Sequence, residues 1–487
     1  MKNVPLKILT RPSFLLALLL IVSFVFLSHV SLVTFRNFPF CMDEHDYSFQ
    51  AHLFAQGHLY QKISINEEPL RDTYMITHQG KLFVHYPPGF PILLAIGVLG
   101  GIPGLINPFL SIVTLFFIYK IAISFVKPSI ALCAVLLVAT NSYFIGYGAS
   151  YFSQPMTLTV VTIGFYLYRK YELSAQSSTA MALGLLIGLC VLVRQVDALC
   201  LFLVIGSGAI YSSIRDKKWT HLIYIIGFPL LSILILCAYF FLLNGEFSIC
   251  TPQVWDRDCP ILHRNANGIW QNVSVVGLKY YRSFRYLTMV SINQRFIHNL
   301  GNPFLILALG GLFCKINKYF HYRCLMSVLV FIILYTFEPF DEWAQYGARY
   351  YYPTLGAIAI LVAFGLNRLG NILPRYLLFA IITISLGYQL MNVRHDLKDY
   401  SSRFDFVETI TKDIHQHCPG HSIVIIKDPH FYFDASTFTS WSDFHRNFIP
   451  SESRFFVYNK QEANLLNKSY PSYGVCEYNF SNNGSIN

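Results

Sequence analysis

The sequence predicts an all-α polytopic membrane protein with about eleven transmembrane helices and a small α/β domain at its C-terminal end. Of its 487 residues, 54% are hydrophobic and only 13% are charged. Apolar runs of about 20 residues, the length that crosses the hydrocarbon core, recur along the chain. The net charge of +10 is attributed to basic cytoplasmic loops, and no basic run with interleaved aromatic residues indicates nucleic-acid binding.

The first apolar segment covers residues 14–35. Three basic residues precede it: Lys2, Lys7 and Arg11. They place the N-terminus in the cytoplasm, and no small-residue cleavage site follows, so the segment is expected to remain as a signal anchor. Residues 36–103 are then a polar periplasmic loop. Its last part, Ile92 to Leu99, is too short to span a membrane and is predicted to lie in the interface as a helix.

Ten further spans follow, and they run alternately inward and outward. They are 104–126, 129–147, 154–168, 179–193, 198–214, 221–243, 302–314, 324–338, 351–366 and 376–391. Each predicted inner loop carries Lys or Arg, which places the C-terminus outside. Residues 244–300 form a second large periplasmic loop, and the membrane domain as a whole covers residues 1–392.

Residues 393–487 are polar and are predicted to form a periplasmic α/β domain. The segments 422–426 and 454–458 are expected to be short strands. Five cysteines fall outside the membrane by this topology: Cys41, Cys250, Cys259, Cys418 and Cys476. We predict the pairs Cys250–Cys259 and Cys418–Cys476, which leaves Cys41 as a free thiol, although spacing alone requires neither pair. No cysteine or histidine spacing is typical of zinc, so no metal site is predicted.

Three carboxylates and a histidine lie just after the first apolar segment: Asp43, Glu44, His45 and Asp46. Charges are costly at the end of a membrane helix, which favours a functional role over a solvated acidic helix end. The predicted topology brings Arg194 and Arg349 to the same membrane surface. A carboxylate can accept a proton from an incoming hydroxyl, and arginines can stabilise a departing phosphate.

Each of the two arginines also has a simpler interpretation. Arg194 could pair with Asp197 at a helix hairpin, and Arg349 could extend to the lipid headgroups. The residues that follow Arg349, Tyr350 to Tyr352, are expected to form an aromatic belt at headgroup level.

Four strings resemble membrane glycosyltransferases of the GT-C fold, in the branch similar to the aminoarabinose lipid A transferase and the protein O-mannosyltransferases. They are DEHDYSFQAHLFAQGHLY at 43–60, HYPPGFPILLAIG at 85–97, GLLIGLCVLVRQVDAL at 184–199 and YGARYYYPTL at 346–355. The resemblance covers roughly residues 10–390. It implies an inverting transfer from a sugar on a polyprenyl phosphate to a lipid, glycan or protein acceptor, at the periplasmic face of a bacterial inner membrane.

The resemblance also implies roles for individual residues. Asp43 would be the catalytic base and Glu44 its neighbour in the acceptor site, with His45 and Tyr47 binding the acceptor. Four residues would bind the donor phosphate: Arg194, Arg349, His85 and Tyr86. His85 stands where relatives often carry Lys. No cofactor is expected, and dependence on a divalent metal is left open.

Two other kinds of function remain possible at this point. A transporter or flippase for a lipid-linked sugar could use Arg194 and Asp197 as a gating pair. A scaffold could bind polyprenyl lipids without catalysis. Convergence of Asp43, Arg194 and Arg349 on one outward-facing cavity would favour the enzyme.

Overall fold

The computed structural model describes residues 12–64, 75–249, 301–312, 318–335, 346, 348–418, 422–426, 454–457 and 460–478. The N-terminal half contains α1 (Pro12–His29, extended by a π-helical turn, Val30–Thr34), α2 (Met42–Ala55), β1 (Gln61–Lys62), β2 (Met75–His78), β3 (Lys81–Val84), α3 (Gly89–Leu99), α4 (Ile106–Ala122), α5 (Pro128–Ala139), α6 (Ser142–Ala149), α7 (Gln154–Ser174), α8 (Ser177–Val193), α9 (Gln195–Leu201), α10 (Ser207–Arg215) and α11 (Trp219–Asn244). The C-terminal half contains α12 (Asn302–Leu312), α13 (Lys318–Tyr335), α14 (Leu355–Ile372), α15 (Arg375–His417), β4 (Ser422–Ile426), β5 (Arg454–Val457), α16 (Lys460–Ser469) and β6 (Gly474–Tyr478).

The apolar helices make the chain a multi-pass membrane protein. Six helical stretches in the described part are long and apolar enough to span a membrane: Pro12–Thr34, Pro103–Ala122, Gln195–Arg215, Trp219–Asn244, Arg349–Ile372 and Arg375–Asp405. The pair α5 and α6, bent by 64°, makes a seventh if it counts as one span. A helix lies at each of the eleven predicted positions, but the predicted count of eleven crossings is not confirmed.

The helices that fall short differ from the full spans in length or in polarity. α8 has 17 residues and α12 has 11 in the described part of the chain. In α13 the apolar stretch Tyr319–Tyr335 is likewise shorter than 18 residues. α7 is long enough, with 21 residues, but its last turns carry Arg169, Lys170 and Glu172. Apolar length alone therefore does not show how many of these helices cross the bilayer.

Two glycines let α8 and α11 approach each other closely. A Cβ atom at Gly184 would overlap the carbonyl oxygen of Tyr224, and one at Gly188 would lie 2.5 Å from Oγ of Ser232. Small residues four positions apart allow this close packing of membrane helices. The contact holds the second half of α8, which ends at Val193, directly before Arg194.

The first loop, residues 36–103, is more ordered than its polar composition suggested. It contains α2, a three-stranded antiparallel sheet in the order β1-β3-β2, and α3. Apolar side chains of α2 and of the sheet, among them Phe49, Leu82 and Val84, form a small core. Apolar residues on α3 are exposed, with Leu99 at 72%. An interfacial position for α3 remains a prediction.

The last helix, α15, has 43 residues and extends well beyond the predicted span 376–391. Its later turns pack against the start of the first loop. The ring of Phe404 lies 5.4 Å from that of Phe35 and 4.8 Å from that of Phe40, and Arg36 pairs with Asp405. The second half of α15 is therefore held beside the entrance to α2.

The C-terminal elements form a parallel sheet in the order β5-β4-β6. Strands lie at both predicted positions, with β5 ending at Val457. Cys418 and Cys476 form the predicted disulfide, with their Cα atoms 5.8 Å apart, and Cys41 is a free thiol as expected. The predicted Cys250–Cys259 pair lies outside the described residues. A separate α/β domain over 393–487 remains a prediction.

Candidate active site

Glu44 fixes the beginning of α2. Its carboxylate accepts hydrogen bonds from the backbone N–H groups of Phe40 at 2.7 Å, Cys41 at 3.2 Å and Tyr151 at 2.7 Å. A Glu at the third helical position that bonds back to the preceding backbone caps the helix and satisfies its first N–H groups. Complete burial raises the pKa of the Glu44 carboxyl to about 7. These contacts indicate a capping role, and participation of Glu44 in an acceptor site stays a prediction.

Asp43, one position earlier, is held by two side chains from distant segments. The hydroxyl of Tyr86 donates a hydrogen bond to Oδ1, and Nη1 of Arg349 lies 3.0 Å from Oδ2. Burial acts to raise the pKa of Asp43, but the charge of Arg349 and the hydrogen bond from Tyr86 outweigh it, so the pKa lies below its ordinary value. Asp43 is therefore ionised at neutral pH.

The segment between β3 and α3 brings two of the predicted phosphate-binding residues to Asp43. The ring of Tyr86 lies 3.9 Å from that of His85 and 4.5 Å from that of Tyr47. Tyr47, one turn after Asp43 on α2, shares a hydrogen bond of 2.9 Å with Oγ of Ser153. Burial raises the pKa of Tyr47 to about 12, so its hydroxyl keeps its proton.

Gly89 sets the position of this turn against α8. A Cβ atom at Gly89 would lie 2.5 Å from the carbonyl oxygen of Leu192. Only glycine allows that approach, and it brings the first turn of α3 next to the residues that precede Arg194.

Arg194 lies at the break between α8 and α9, where its backbone is extended. Its Nε atom lies 3.0 Å from Oδ2 of Asp197, and its Nη2 atom lies 3.4 Å from the hydroxyl of Tyr335. The pairing with Asp197 that was considered from the sequence is therefore present. Tyr335 in turn donates a hydrogen bond to Oδ1 of Asp197.

The ring of Tyr350 connects the two arginines. The Cζ atom of Arg349 lies 4.9 Å from its centroid and that of Arg194 lies 5.6 Å from it, both within cation–π range. Nη2 of Arg349 also bonds to the Tyr350 hydroxyl at 3.0 Å. The three residues on which the sequence interpretation depended, Asp43, Arg194 and Arg349, thus converge. Arg349 is 16% exposed and contacts Asp43, so it does not extend to the headgroups.

One expectation about this region changes. Tyr350, Tyr351 and Tyr352 were expected to form a headgroup belt, but they are at most 7% exposed and pack inside the protein. The sequence did not indicate this burial, because the polar hydroxyl of a tyrosine is usually expected near water. His45 is 1% exposed and packs edge-on against Phe38. Burial lowers its pKa to about 3, so it is neutral. Acceptor binding by His45 remains a prediction.

Sequence reasoning missed Tyr335 and the ring of Tyr350 as parts of the cluster. Tyr335 is a single tyrosine at the end of an apolar helix, and nothing in its local sequence marks it. No group of three or more His, Cys, Asp or Glu side chains that could hold a metal ion occurs among the described residues.

The fold is similar to that of solved membrane glycosyltransferases. ArnT from Cupriavidus metallidurans bound to undecaprenyl phosphate matches with a TM-score of 0.54 and 12% identity, covering 95% of this chain and 89% of that one. The apo state of the same protein matches with a TM-score of 0.55 over the same shares, again at 12% identity. These likenesses show that the chain has the GT-C fold that its motifs predicted.

A weaker structural match is the arabinofuranosyltransferase AftD from Mycobacteria, with a TM-score of 0.49 and 11% identity, covering 91% of this chain and 31% of that one. No family model matches the sequence. No curated protein matches it either.

Proposed function

We propose that the protein is an inverting glycosyltransferase that moves a sugar, a hexose or a pentose, from a polyprenyl-phosphate donor to an envelope acceptor. The acceptor is a lipid, a glycan or a protein, and the transfer takes place at the periplasmic face of a bacterial inner membrane. The observation that carries this proposal is the convergence of one ionised carboxylate, Asp43, with two guanidinium groups, Arg349 and Arg194, around Tyr350.

In the proposed reaction Asp43 accepts the proton of the acceptor hydroxyl. The acceptor oxygen forms a bond to the anomeric carbon as the bond from that carbon to the phosphate oxygen breaks, and the electron pair leaves with the phosphate. Both oxygens of Asp43 already accept a hydrogen bond, but a carboxylate has about four lone-pair sites and can accept another. The proton then passes from Asp43 to water.

The arginines supply the other half of the chemistry. A departing polyprenyl phosphate carries negative charge, and charged donors placed beforehand stabilise it without reorganisation. Arg349 uses Nη1 and Nη2 in the contacts above, and its buried Nε has no hydrogen-bond partner among the described residues. That N–H is available to an anion. His85 and Tyr86 lie at the same edge of the cluster.

The fold similarity agrees with this assignment of the donor. The similar structure of ArnT is bound to undecaprenyl phosphate. A transporter or flippase of a lipid-linked sugar would account for the Arg194–Asp197 pair as a gate. It would not account for Asp43, which is ionised and held beside the cations by Tyr86, and the enzyme is therefore the better explanation.

Mass analysis of envelope glycolipids and glycans tests the proposal. A strain that lacks the gene should lose one sugar modification, which the wild-type chain restores and Asp43→Asn does not. The control is Asp216→Asn, at an exposed ion pair with Arg215, which should restore it fully. Restoration by Asp43→Asn at normal protein level would reject Asp43 as the catalytic base.

A further inference from the structure

We propose that Tyr335 and Asp197 are positioning residues that orient Arg194 for the phosphate of the donor and do not merely neutralise its charge. The inference rests on the proposed function, since it assigns a task to residues that support one of its phosphate-binding cations. It is carried by the geometry of the three side chains and their shared contact with Tyr350.

The first observation is the edge by which Arg194 is held. Oδ2 of Asp197 forms an ion pair with Nε, and the Tyr335 hydroxyl accepts a hydrogen bond from Nη2, so both contacts lie along the Nε/Nη2 edge of the guanidinium. Two contacts on one edge fix the plane of the group as well as its location. In the described part of the chain Nη1 makes no hydrogen bond, and this end of the fork remains available to a ligand.

The second observation is that the Tyr335 hydroxyl has two partners. It donates to Oδ1 of Asp197 and receives Nη2 of Arg194 at 3.4 Å. Asp197 is 0% exposed, and a buried carboxyl group is costly unless its oxygens have such partners. An aspartate alone would neutralise Arg194, but it would leave the guanidinium free to rotate about a single contact. The tyrosine removes that freedom.

The third observation connects this group to the opposite arginine. The ring of Tyr335 stacks on that of Tyr350, with centroids 4.6 Å apart and planes inclined by 17°. Tyr350 contacts the guanidinium groups of both Arg194 and Arg349. Tyr335 therefore bonds to Asp197 and packs on the ring of Tyr350, which contacts both arginines. We infer that Tyr335 thereby sets the distance between the two guanidinium groups.

Charge neutralisation alone predicts a different response to mutation. Under that interpretation the phenolic hydroxyl is incidental, and Tyr335→Phe, which keeps the ring and its stacking on Tyr350, has no effect on phosphate binding. Under the positioning interpretation Tyr335→Phe leaves the Arg194 guanidinium free to rotate and weakens phosphate binding. That weakening occurs only in a chain that still has Arg194.

The test measures binding of undecaprenyl phosphate to the full chain in detergent. Tyr335→Phe and Asp197→Asn should each weaken binding by about tenfold, the scale of a hydrogen bond to a charged group. Arg194→Ala should weaken binding at least as much. In the Arg194→Ala background, Tyr335→Phe should cause no further loss, because interacting residues are not additive in a double-mutant cycle. The control is Tyr376→Phe, on a residue that is 71% exposed, which should bind as the wild type does.

Two results would overturn the inference alone. They are wild-type affinity for Tyr335→Phe, and equal losses from Tyr335→Phe in the wild-type and Arg194→Ala backgrounds, which would indicate a general structural role. Wild-type affinity for Arg194→Ala would overturn the inference and would also remove Arg194 from the phosphate-binding residues of the proposed function. If Tyr335→Phe does not fold, the same cycle with Asp197→Asn decides. Failure of the wild-type chain to bind undecaprenyl phosphate would contradict the proposed function, and the positioning role would fall with it.

Discussion

Asp43 and Arg349, which lie 306 positions apart in the sequence, form an ion pair in which Nη1 of the arginine is 3.0 Å from Oδ2 of the carboxylate. The pair joins the first loop to the segment that enters α14. It also places the proposed base directly beside a proposed phosphate-binding cation. Proton removal and departure of the leaving group would therefore occur at adjacent groups, and the following predictions depend on that arrangement.

Asp43→Asn should lower the rate of sugar transfer by about a hundredfold or more, because the amide cannot accept the acceptor proton. Binding of undecaprenyl phosphate should remain at least as tight as in the wild type, because the variant releases Arg349 from its ion pair. Transfer is measured with membrane extracts of the complemented strain, and binding with the purified chain. Near-normal turnover would remove Asp43 from the mechanism and direct attention to Asp46.

Arg349→Lys should weaken both transfer and undecaprenyl phosphate binding by about tenfold, and Arg349→Ala should remove both. Lysine keeps the charge but cannot make the planar, two-point contact that Arg349 makes with Asp43 and the Tyr350 hydroxyl. Arg215→Lys, at a position that is 62% exposed, serves as the matched control and should change neither quantity. If Arg349→Lys is fully active, the planar two-point contact of Arg349 is not required for transfer.

Tyr86→Phe should move the acidic limb of the pH–rate profile to higher pH. The Tyr86 hydroxyl bonds to the ionised form of Asp43 and so helps to lower its pKa. Loss of that bond raises the pKa, and the base becomes protonated at a higher pH than in the wild type. Tyr47→Phe removes a hydroxyl that bonds to Ser153 instead, and it should leave the limb where it is. Identical limbs for wild type and Tyr86→Phe would contradict the role of this hydrogen bond.

Glu44→Gln should change how stability depends on pH. The pKa of Glu44 is about 7 in the folded chain because of burial, against about 4.3 in an unfolded chain. Between these values the folded protein holds a proton that the unfolded chain has lost, so stability falls as pH rises through this window. Glutamine does not titrate, so Glu44→Gln lacks this pH-dependent contribution to the free energy of unfolding.

The advantage of the wild type over Glu44→Gln in thermal unfolding should therefore shrink from about pH 5 to about pH 7 and then level off. Melting of both purified proteins across this range measures it. An advantage that grows with pH would mean that folding lowers the pKa of Glu44 instead of raising it.

The helices and the charged pair of the site could be predicted from the sequence because their signals are local. Apolar length marked a helix at each predicted span, and the strings around Asp43, Arg194 and Arg349 identified residues that the fold does bring together. The number of crossings could not be obtained in the same way. Helices such as α8 are apolar but short, and the close packing of α8 against α11 at Gly184 and Gly188 is a long-range contact that apolar length does not record.

The rest of the site depends on long-range contacts that no local pattern records. Tyr335 reaches Asp197 from 138 positions away. Tyr350 and its two neighbours resembled a headgroup belt, since aromatic residues at the end of an apolar segment usually lie there. Their burial follows from the packing of α7 and α13 around this segment. Glu44 looked like a partner of Asp43 because it is adjacent in sequence, but successive residues on a helix point in different directions.

The length of α15 has a consequence for the C-terminal sheet. At about 1.5 Å per residue its 43 residues extend roughly 65 Å, about twice the ~30 Å hydrocarbon thickness. In a continuous helix each residue adds both a rotation and a rise. Removal of one residue after Phe404 would therefore rotate the rest of α15 by about 100° and shift it by about 1.5 Å along the helix axis. The aromatic contacts of Phe404 with Phe35 and Phe40 would stay in place. The helical phase of residues 405–417 thus sets the direction in which the chain leaves α15 toward β4.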